Sequence, residues 1–416
     1  MTGANLSIDG GRLRSDIEAL AGIGRDPEGG ISRPAWSPGH ETARAWLVDR
    51  LRAAGLRTHV DPAGNIFGRL GDRPEAGEPV VMTGSHIDTV PRGGPLDGAL
   101  GVLAGLECLR TIADARVPLG RALEVAAFTD EEGRFYGFFG SRAMAGSLDL
   151  ALARRLADPT GFPLADAMRG AGFDLDRAGE ARRAPGSIAA YVELHIEQGP
   201  WLEAEGTPLG VVEAIVGIRR RRLTFLGQPD HAGTTPMERR RDAFFTAAEY
   251  AAKSRDLVVR QGSGRSVTTI GVVNVYPGVA NIVPARAALL QEIRDAEPAV
   301  LEGLARRTLA LARRVAKRRG LGLEAEDLRR AAPARMAPRV QTAIEAAAAA
   351  RGFSCKRMPS GAGHDAQILA AVTDAGMLFI PSQGGRSHRP DEWSDWEAIE
   401  RGANVLLGTL LHLAMA

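Results

Sequence analysis

His86 and Asp88 stand two residues apart where the apolar run Val80-Val-Met-Thr83 gives way to a glycine- and proline-rich loop. A β-branched apolar run bounded by polar loop is expected to form a buried strand, and residues two apart on an extended chain share a face. An imidazole and a carboxylate delivered together in this way suit a metal cation. Asp97 closes the same loop and precedes Gly98-Ala-Leu-Gly-Val-Leu-Ala-Gly-Leu-Glu107, an apolar helical pattern. Its carboxylate is therefore expected at a helix amino end, where it can bridge cations. Leu123-Glu-Val-Ala-Ala-Phe-Thr129 reads as a second strand and runs into Asp130-Glu131-Glu132, three adjacent carboxylates that repel one another unless water or cations neutralise them. Tyr191-Val-Glu-Leu-His195 is a third run closing on such a group, and Met377-Leu-Phe-Ile-Pro-Ser leads through Gly384-Gly-Arg to Ser387-His388. Strand ends that repeatedly carry His, Asp or Glu are hard to explain as packing.

These ends need a scaffold that gathers them. Strands alternate with amphipathic helices through roughly the first half of the chain, helices being expected at 41–54 and 98–112, which argues for a mainly parallel sheet with helices on its faces. In such sheets ligands collect beyond the carboxyl ends of the strands. The texture changes near Val216. Strands are expected at 220–226, 267–276 and 286–294, with helices at 239–253 and 300–319, making a smaller α+β unit. After Ala331-Ala-Pro the first pattern resumes, with a helix at 340–351, the loop Ser360-Gly-Ala-Gly-His364-Asp365, a strand at Met377 and a closing helix from Trp396. The expected fold class is thus α/β, a mainly parallel-sheet catalytic domain from 1–215 and 330–416, with an inserted α+β domain at 216–329.

Composition narrows the function classes. With 416 residues, 44% hydrophobic and 25% charged, the chain is long enough for two globular domains. Its net charge of +2 gives no broad attraction to nucleic acid or anionic membrane, and the runs 219–222 and 239–241 of arginine lack the interleaved aromatics of a nucleic-acid surface. No window approaches a transmembrane span of about 20 apolar residues. Cys108 and Cys355, both expected in helices, have no paired spacing, so a disulfide framework is not expected and a reducing compartment fits. No secretory leader is visible, and the expected setting is cytoplasmic.

With these motifs in place, the chain resembles the N-carbamoyl-L-amino acid hydrolase, β-ureidopropionase and allantoate amidohydrolase branch of the aminoacylase and carboxypeptidase G metallohydrolases. The resemblance runs through Gly84-Ser-His-Ile-Asp-Thr-Val90, Asp130-Glu-Glu-Gly-Arg-Phe135, His195-Ile-Glu-Gln-Gly-Pro200, His231-Ala-Gly-Thr-Thr-Pro-Met237, Ser360-Gly-Ala-Gly-His-Asp-Ala366 and Ser387-His388. It implies two divalent metal ions, held by His86, Asp97, Glu132, His195 and His388, with Asp97 bridging. One ion would rest on His86 and His195, the other on Glu132 and His388. Mixed nitrogen and oxygen ligation suits zinc, manganese, cobalt or nickel. Relatives in the peptidase branch commonly carry an acidic residue where His195 stands.

The same resemblance implies that Glu131 moves protons, that the Asp88 carboxylate fixes the His86 ring, and that His231 stabilises the oxyanion. Asn281 and Arg294 would hold the substrate's carbonyl and carboxylate, with Gln198, Gly363 and His364 as further contacts. The substrate would be a small ureido or amide compound bearing a carboxylate, bound as the domains close. The inserted domain would be a lid and a homodimerisation surface. The expected activity is removal of an N-carbamoyl group, with allantoate or N-carbamoyl-β-alanine hydrolysis as alternatives and a catalytically silent metal-stabilised binding protein as the rival of another class.

Overall fold

The computed structural model describes residues 6–71 and 78–415, so residues 1–5, on which the expected lack of a leader partly rests, lie outside the described residues. The chain divides into two compact units, one running to Glu213 and resuming at Arg335, the other Ala214–Ala334.

The larger unit begins with α1 (Gly10–Ala21), α2 (Pro38–Ala53), β1 (Arg57–Val60), β2 (Ile66–Leu70) and β3 (Val80–His86). It continues through α3 (Ala99–Asp114), β4 (Leu123–Phe128), α4 (Phe139–Ala145), α5 (Leu150–Ala153), α6 (Leu164–Gly170), β5 (Ile188–Ile196), α7 (Trp201–Glu205) and β6 (Gly210–Ile215). The smaller unit carries β7 (Gly217–Leu226), α8 (Ala243–Gln261), β8 (Val267–Tyr276), β9 (Arg286–Asp295), α9 (Pro298–Arg318) and β10 (Gly322–Ala331). The chain then supplies β11 (Ala334–Arg335), α10 (Pro338–Ala349), β12 (Lys356–Ser360), α11 (Asp365–Leu369), β13 (Asp374–Ile380) and α12 (Trp396–Met415).

In the main sheet the order is β1-β2-β4-β3-β5-β13-β6-β11, with β12 on β6. Its centre, β4-β3-β5-β13, is parallel, and antiparallel strands close each side. The central strands are buried on both faces because both are covered. Alternate residues, including Val81, Val125, Val192, Leu194 and Leu378, enter the main core with α3, α10 and α12. The opposite face bears Tyr191, Glu193 and His195, and there α11 docks, the Ala366 N–H donating to Glu193 Oε2 at 3.0 Å. Gly84 is required where β3 and β4 touch: at φ 143° a Cβ would meet the Ala126 carbonyl at 1.9 Å.

The smaller unit is an antiparallel sheet, β10-β7-β9-β8, whose Leu223, Phe225, Leu289 and Ile293 pack against Tyr250 of α8 and Leu301, Leu304 and Leu311 of α9. Two sequence expectations shift here. The helix expected from 239 starts at Ala243, because the Asp242 side chain caps it through the Phe245 N–H. Strand β10, Gly-Leu-Glu-Ala-Glu-Asp-Leu-Arg-Arg-Ala, is invisible to apolar periodicity and is held by its ladder to β7 with Arg221–Asp327 and Arg222–Glu326 pairs across it. Cys108 is buried in α3 as expected, whereas Cys355 lies in coil before β12, since α10 ends at Ala349 and the chain turns at Gly352 with φ 74°. Among the described residues no helix is long and apolar enough to cross a membrane.

Candidate metal centre

Parallel register places the donors. His86 is the last residue of β3 and lies beside Phe128 of β4, so Asp130-Glu131-Glu132 emerges next to it, while His195 lies beside Phe379 of β13. Asp97 comes from the loop into α3. Gly98 follows it at φ 65°, and a Cβ there would strike the His86 ring at 2.4 Å, so only glycine lets the helix start approach the imidazole. His388 arrives by the loop beyond β13.

The result is two groups sharing one carboxylate. Asp97 Oδ1 lies 3.1 Å from His195 Nε2 and 3.8 Å from His86 Nε2; Asp97 Oδ2 lies 3.1 Å from His388 Nε2, which is itself 3.4 Å from Glu132 Oε2. In each group the ligand atoms lie within 4.8 Å of one another. Glu131 Oε2 sits 3.5 Å from His86 Nε2. The histidine tautomers suit metal binding: Nδ1 of His86 faces the Asp88 carbonyl at 2.9 Å and Nδ1 of His195 faces the Ile196 carbonyl at 2.8 Å. Each Nδ1–H is therefore engaged and each Nε2 points into the site, where a cation would take the place of its proton. Imidazole nitrogens and carboxylate oxygens in this arrangement fit divalent cations.

The protonation of the cluster agrees. Burial would raise the Asp97 carboxyl, but hydrogen bonds to His195 and His388 hold it well below the usual range. Burial lowers His195, and the Asp97 bond and charge reverse this to about 9. Glu131 and Glu132 are both pushed well up, first by burial and then by neighbouring carboxylates. Groups that hold protons this firmly without a cation are groups a cation can displace protons from.

Several residues sit differently from expectation. It is the main-chain carbonyl of Asp88 that orients His86; the carboxylate stays 3.7 Å from that nitrogen and instead accepts the Glu132 N–H at 3.2 Å. Gln198 donates to Asp97 Oδ2 at 2.7 Å. His364 is buried, its Nε2 within 2.8 Å of Ser360 Oγ and its ring edge-on to His195 at 4.6 Å, while a Cβ on Gly363 would meet Phe138 at 2.7 Å. Glu193, His195 and His364 also bring ligand atoms together, but both His195 nitrogens are already committed to the Ile196 carbonyl and the Asp97 side.

Glu392, missed in the sequence, ties two ligand loops: Oε1 accepts the Leu96 and Asp97 N–H groups at 3.0 and 2.9 Å, and Oε2 accepts Ser387 Oγ at 3.0 Å and the His388 N–H at 3.2 Å. Only its place four residues after His388 hinted at it.

In the smaller unit, His231 and Asn281 are neighbours, His231 bridging to Ile282 and the Ala232 N–H donating to the Asn281 carbonyl at 2.9 Å. His231 Nδ1 accepts from Gly233 and Thr234, which leaves the proton on Nε2. Arg294 stands at the other end of β9, its Nε 2.7 Å from Glu292 Oε1.

Fold and donor set together define a metal-dependent hydrolase. Residues 82–412 match peptidase family M20/M25/M40. An N-carbamoyl-L-amino acid amidohydrolase of Geobacillus stearothermophilus is 41% identical over 410 residues, spanning 98% of this chain and 99% of its own. An allantoate amidohydrolase of Bacillus subtilis (strain 168) is 36% identical over 405 residues, 96% of each chain. The crystal structure of a hydantoinase/carbamoylase family amidase from Burkholderia multivorans aligns with a TM-score of 0.89 at 36% identity, covering 99% of both chains. The chain belongs to peptidase family M20/M25/M40.

Proposed function

We propose that this protein is a binuclear amidohydrolase that removes the N-carbamoyl group from N-carbamoyl-L-amino acids, releasing the amino acid, carbon dioxide and ammonia. The observation that carries this reading is the division of Asp97 between two donor groups, with Glu131 held beside them. Its substrate class follows the amidohydrolase relatives. Zinc, manganese, cobalt or nickel ions, one on His86, Asp97 and His195 and one on Asp97, Glu132 and His388, would polarise the scissile carbonyl and acidify water.

The chain's own residues do the rest. Burial makes Glu131 more basic than an exposed carboxylate, so it takes a proton from the attacking water and passes it to the departing nitrogen. His231, protonated on Nε2, donates to the developing oxyanion, and Asn281 beside it binds the carbonyl end. The planar fork of Arg294 takes the substrate carboxylate. Gln198 keeps its Nε2 on Asp97 and offers its Oε1 to the substrate, and Gly363 keeps the wall beside it open, while buried His364 acts by packing on His195.

A homodimer belongs to this reading. Arg286 to Arg294 is eight residues of strand, roughly 26 Å at about 3.3 Å each, so no small substrate reaches His231 and Arg294 of one subunit together. Two subunits supplying one group each would meet that requirement. Edge strand β8 offers a surface for it, exposing Val267, Val272, Val273 and Tyr276 along an edge that no other strand pairs among the described residues. The two free cysteines suit a cytoplasmic setting.

The test is ammonia release from N-carbamoyl-L-amino acids, N-carbamoyl-β-alanine and allantoate side by side, after reconstitution with Mn²⁺ or Zn²⁺ and with Glu131→Gln as control. We expect the highest kcat/KM on an N-carbamoyl-L-amino acid. A preference for allantoate would replace the substrate assignment, and cation binding without turnover on any ureido compound would make the protein a binding module.

A further inference from the structure

The largest wholly buried side chain is a cation outside the family-matched stretch. Arg33 is 0% exposed and lies well before residue 82. Its guanidinium is met by main-chain carbonyls: Nε donates to Ile87 O at 2.7 Å, and Nη1 to Leu20 O at 3.0 Å and Ile23 O at 2.9 Å. Burying a cation is costly unless hydrogen bonds and an opposite charge offset it. The hydrogen bonds are those three carbonyls, two of them at the carboxyl end of α1, where a cation is favoured. The opposite charge is that of Asp88, itself fully buried.

Ile87 is the residue between His86 and Asp88, so the arginine grips the turn that presents both. The surrounding strap reinforces that grip. The Arg33 N–H donates to Thr89 Oγ1 at 2.9 Å, the Thr89 N–H returns to the Arg33 carbonyl at 3.1 Å, and Ile31 and Gly93 exchange two further main-chain bonds. Residues 31–33 thus run alongside 87–93 and fasten the loop that carries the first histidine.

We propose that Arg33 is a positioning residue for the cation held by His86 and His195: by fixing the Ile87 carbonyl and facing the Asp88 charge, it holds the Asp88 carbonyl on His86 Nδ1 and the Asp88 carboxylate on the Glu132 N–H. This rests on the metal-centre reading above. Lysine is a poor substitute, because one ammonium on a flexible stem cannot span three carbonyls as a planar five-donor fork does.

The experiment compares Arg33→Met, Arg33→Lys and Thr89→Val with wild type by competition titration of Zn²⁺ against a chromophoric chelator, together with kcat, KM and thermal melting. His388→Ala assigns the titration step belonging to the other cation. The expected result for Arg33→Met is a 10- to 100-fold weaker His86 step, the size typical of lost outer contacts to a metal ligand, with the other step within about threefold and kcat reduced more than KM is raised. Arg33→Lys and Thr89→Val should weaken the same step less. A merely structural arginine would lower the melting temperature and leave both steps of the folded variants at wild-type values, which overturns the proposal. If Arg33→Met does not fold, the lysine variant decides, and Thr89→Val decides if neither folds. Wild-type protein that binds no divalent cation would overturn the metal reading along with this one; native cation affinity in the variants overturns this one alone.

Discussion

The two donor groups share Asp97 yet are built differently. The His86 and His195 side chains are 3% and 1% exposed, and both extend from strands of the central parallel sheet. His388 is 50% exposed at φ 59° in a loop, and what steadies it is the Glu392 carboxylate rather than a ladder of strand bonds. The inner group is therefore preorganised by the fold, and the outer one by a single side chain. That difference predicts that a cation at the inner group is held more firmly than one at the outer group, because an exposed, loop-borne ligand can swing away and admit water while a strand-borne one cannot.

The largest effect that would test this comes from the shared element. Asp97→Ala should abolish binding of both cations and all turnover, measured by metal analysis after gel filtration; a variant that kept one cation at full affinity would show that Asp97 does not bridge. Next, a limiting chelator should remove the outer cation first, and His388→Ala should leave one cation per chain, counted in the same way. Loss of both cations in one step would erase the asymmetry. Glu392→Gln replaces two acceptor oxygens with one acceptor and one donor, so one pair of N–H or O–H groups loses its partner. We expect the outer cation to bind about 10-fold more weakly, with the inner one changed little. Equal weakening of both would place the action of Glu392 on Asp97 alone.

The remaining effect is on protons. In the metal-free protein the Asp97 bond and charge shift His195 to about 9, so at neutral pH a cation on His195 must displace a proton; Glu132 and His388 are shifted in the same direction, whereas Asp97, shifted downward, is already ionised. Apparent cation affinity at the His195 group should accordingly rise with pH, roughly tenfold per unit for each proton released, until His195 loses its proton at about 9. Calorimetry in buffers of different ionisation enthalpy measures the release; finding none at pH 7 would contradict the picture.

Some of this architecture could be read in advance for definite reasons. Val80-Val-Met-Thr83 and Leu123 to Phe128 are apolar runs too short for helices, so the ends of β3 and β4 and the residues beyond them were legible. Strand β10 was not, because its charged side chains satisfy cross-strand partners instead of a core. Asp88 was legible as a neighbour of His86, but not the choice between its carbonyl and its carboxylate, which a rotation of the loop decides. Arg33 and Glu392 gave no periodic signal, since each acts through hydrogen bonds to segments distant from it in sequence.

The order of amino acids by itself determined which donors exist and that strand ends would deliver them, because side-chain alternation and chain stiffness act over a few residues. Only the tertiary structure decided which Asp97 oxygen faces which imidazole, that His364 is buried behind His195, and that His231 and Arg294 lie a strand apart. Those outcomes depend on hydrogen-bond distances between segments up to hundreds of residues apart, and a hydrogen bond is lost within about an ångström of displacement.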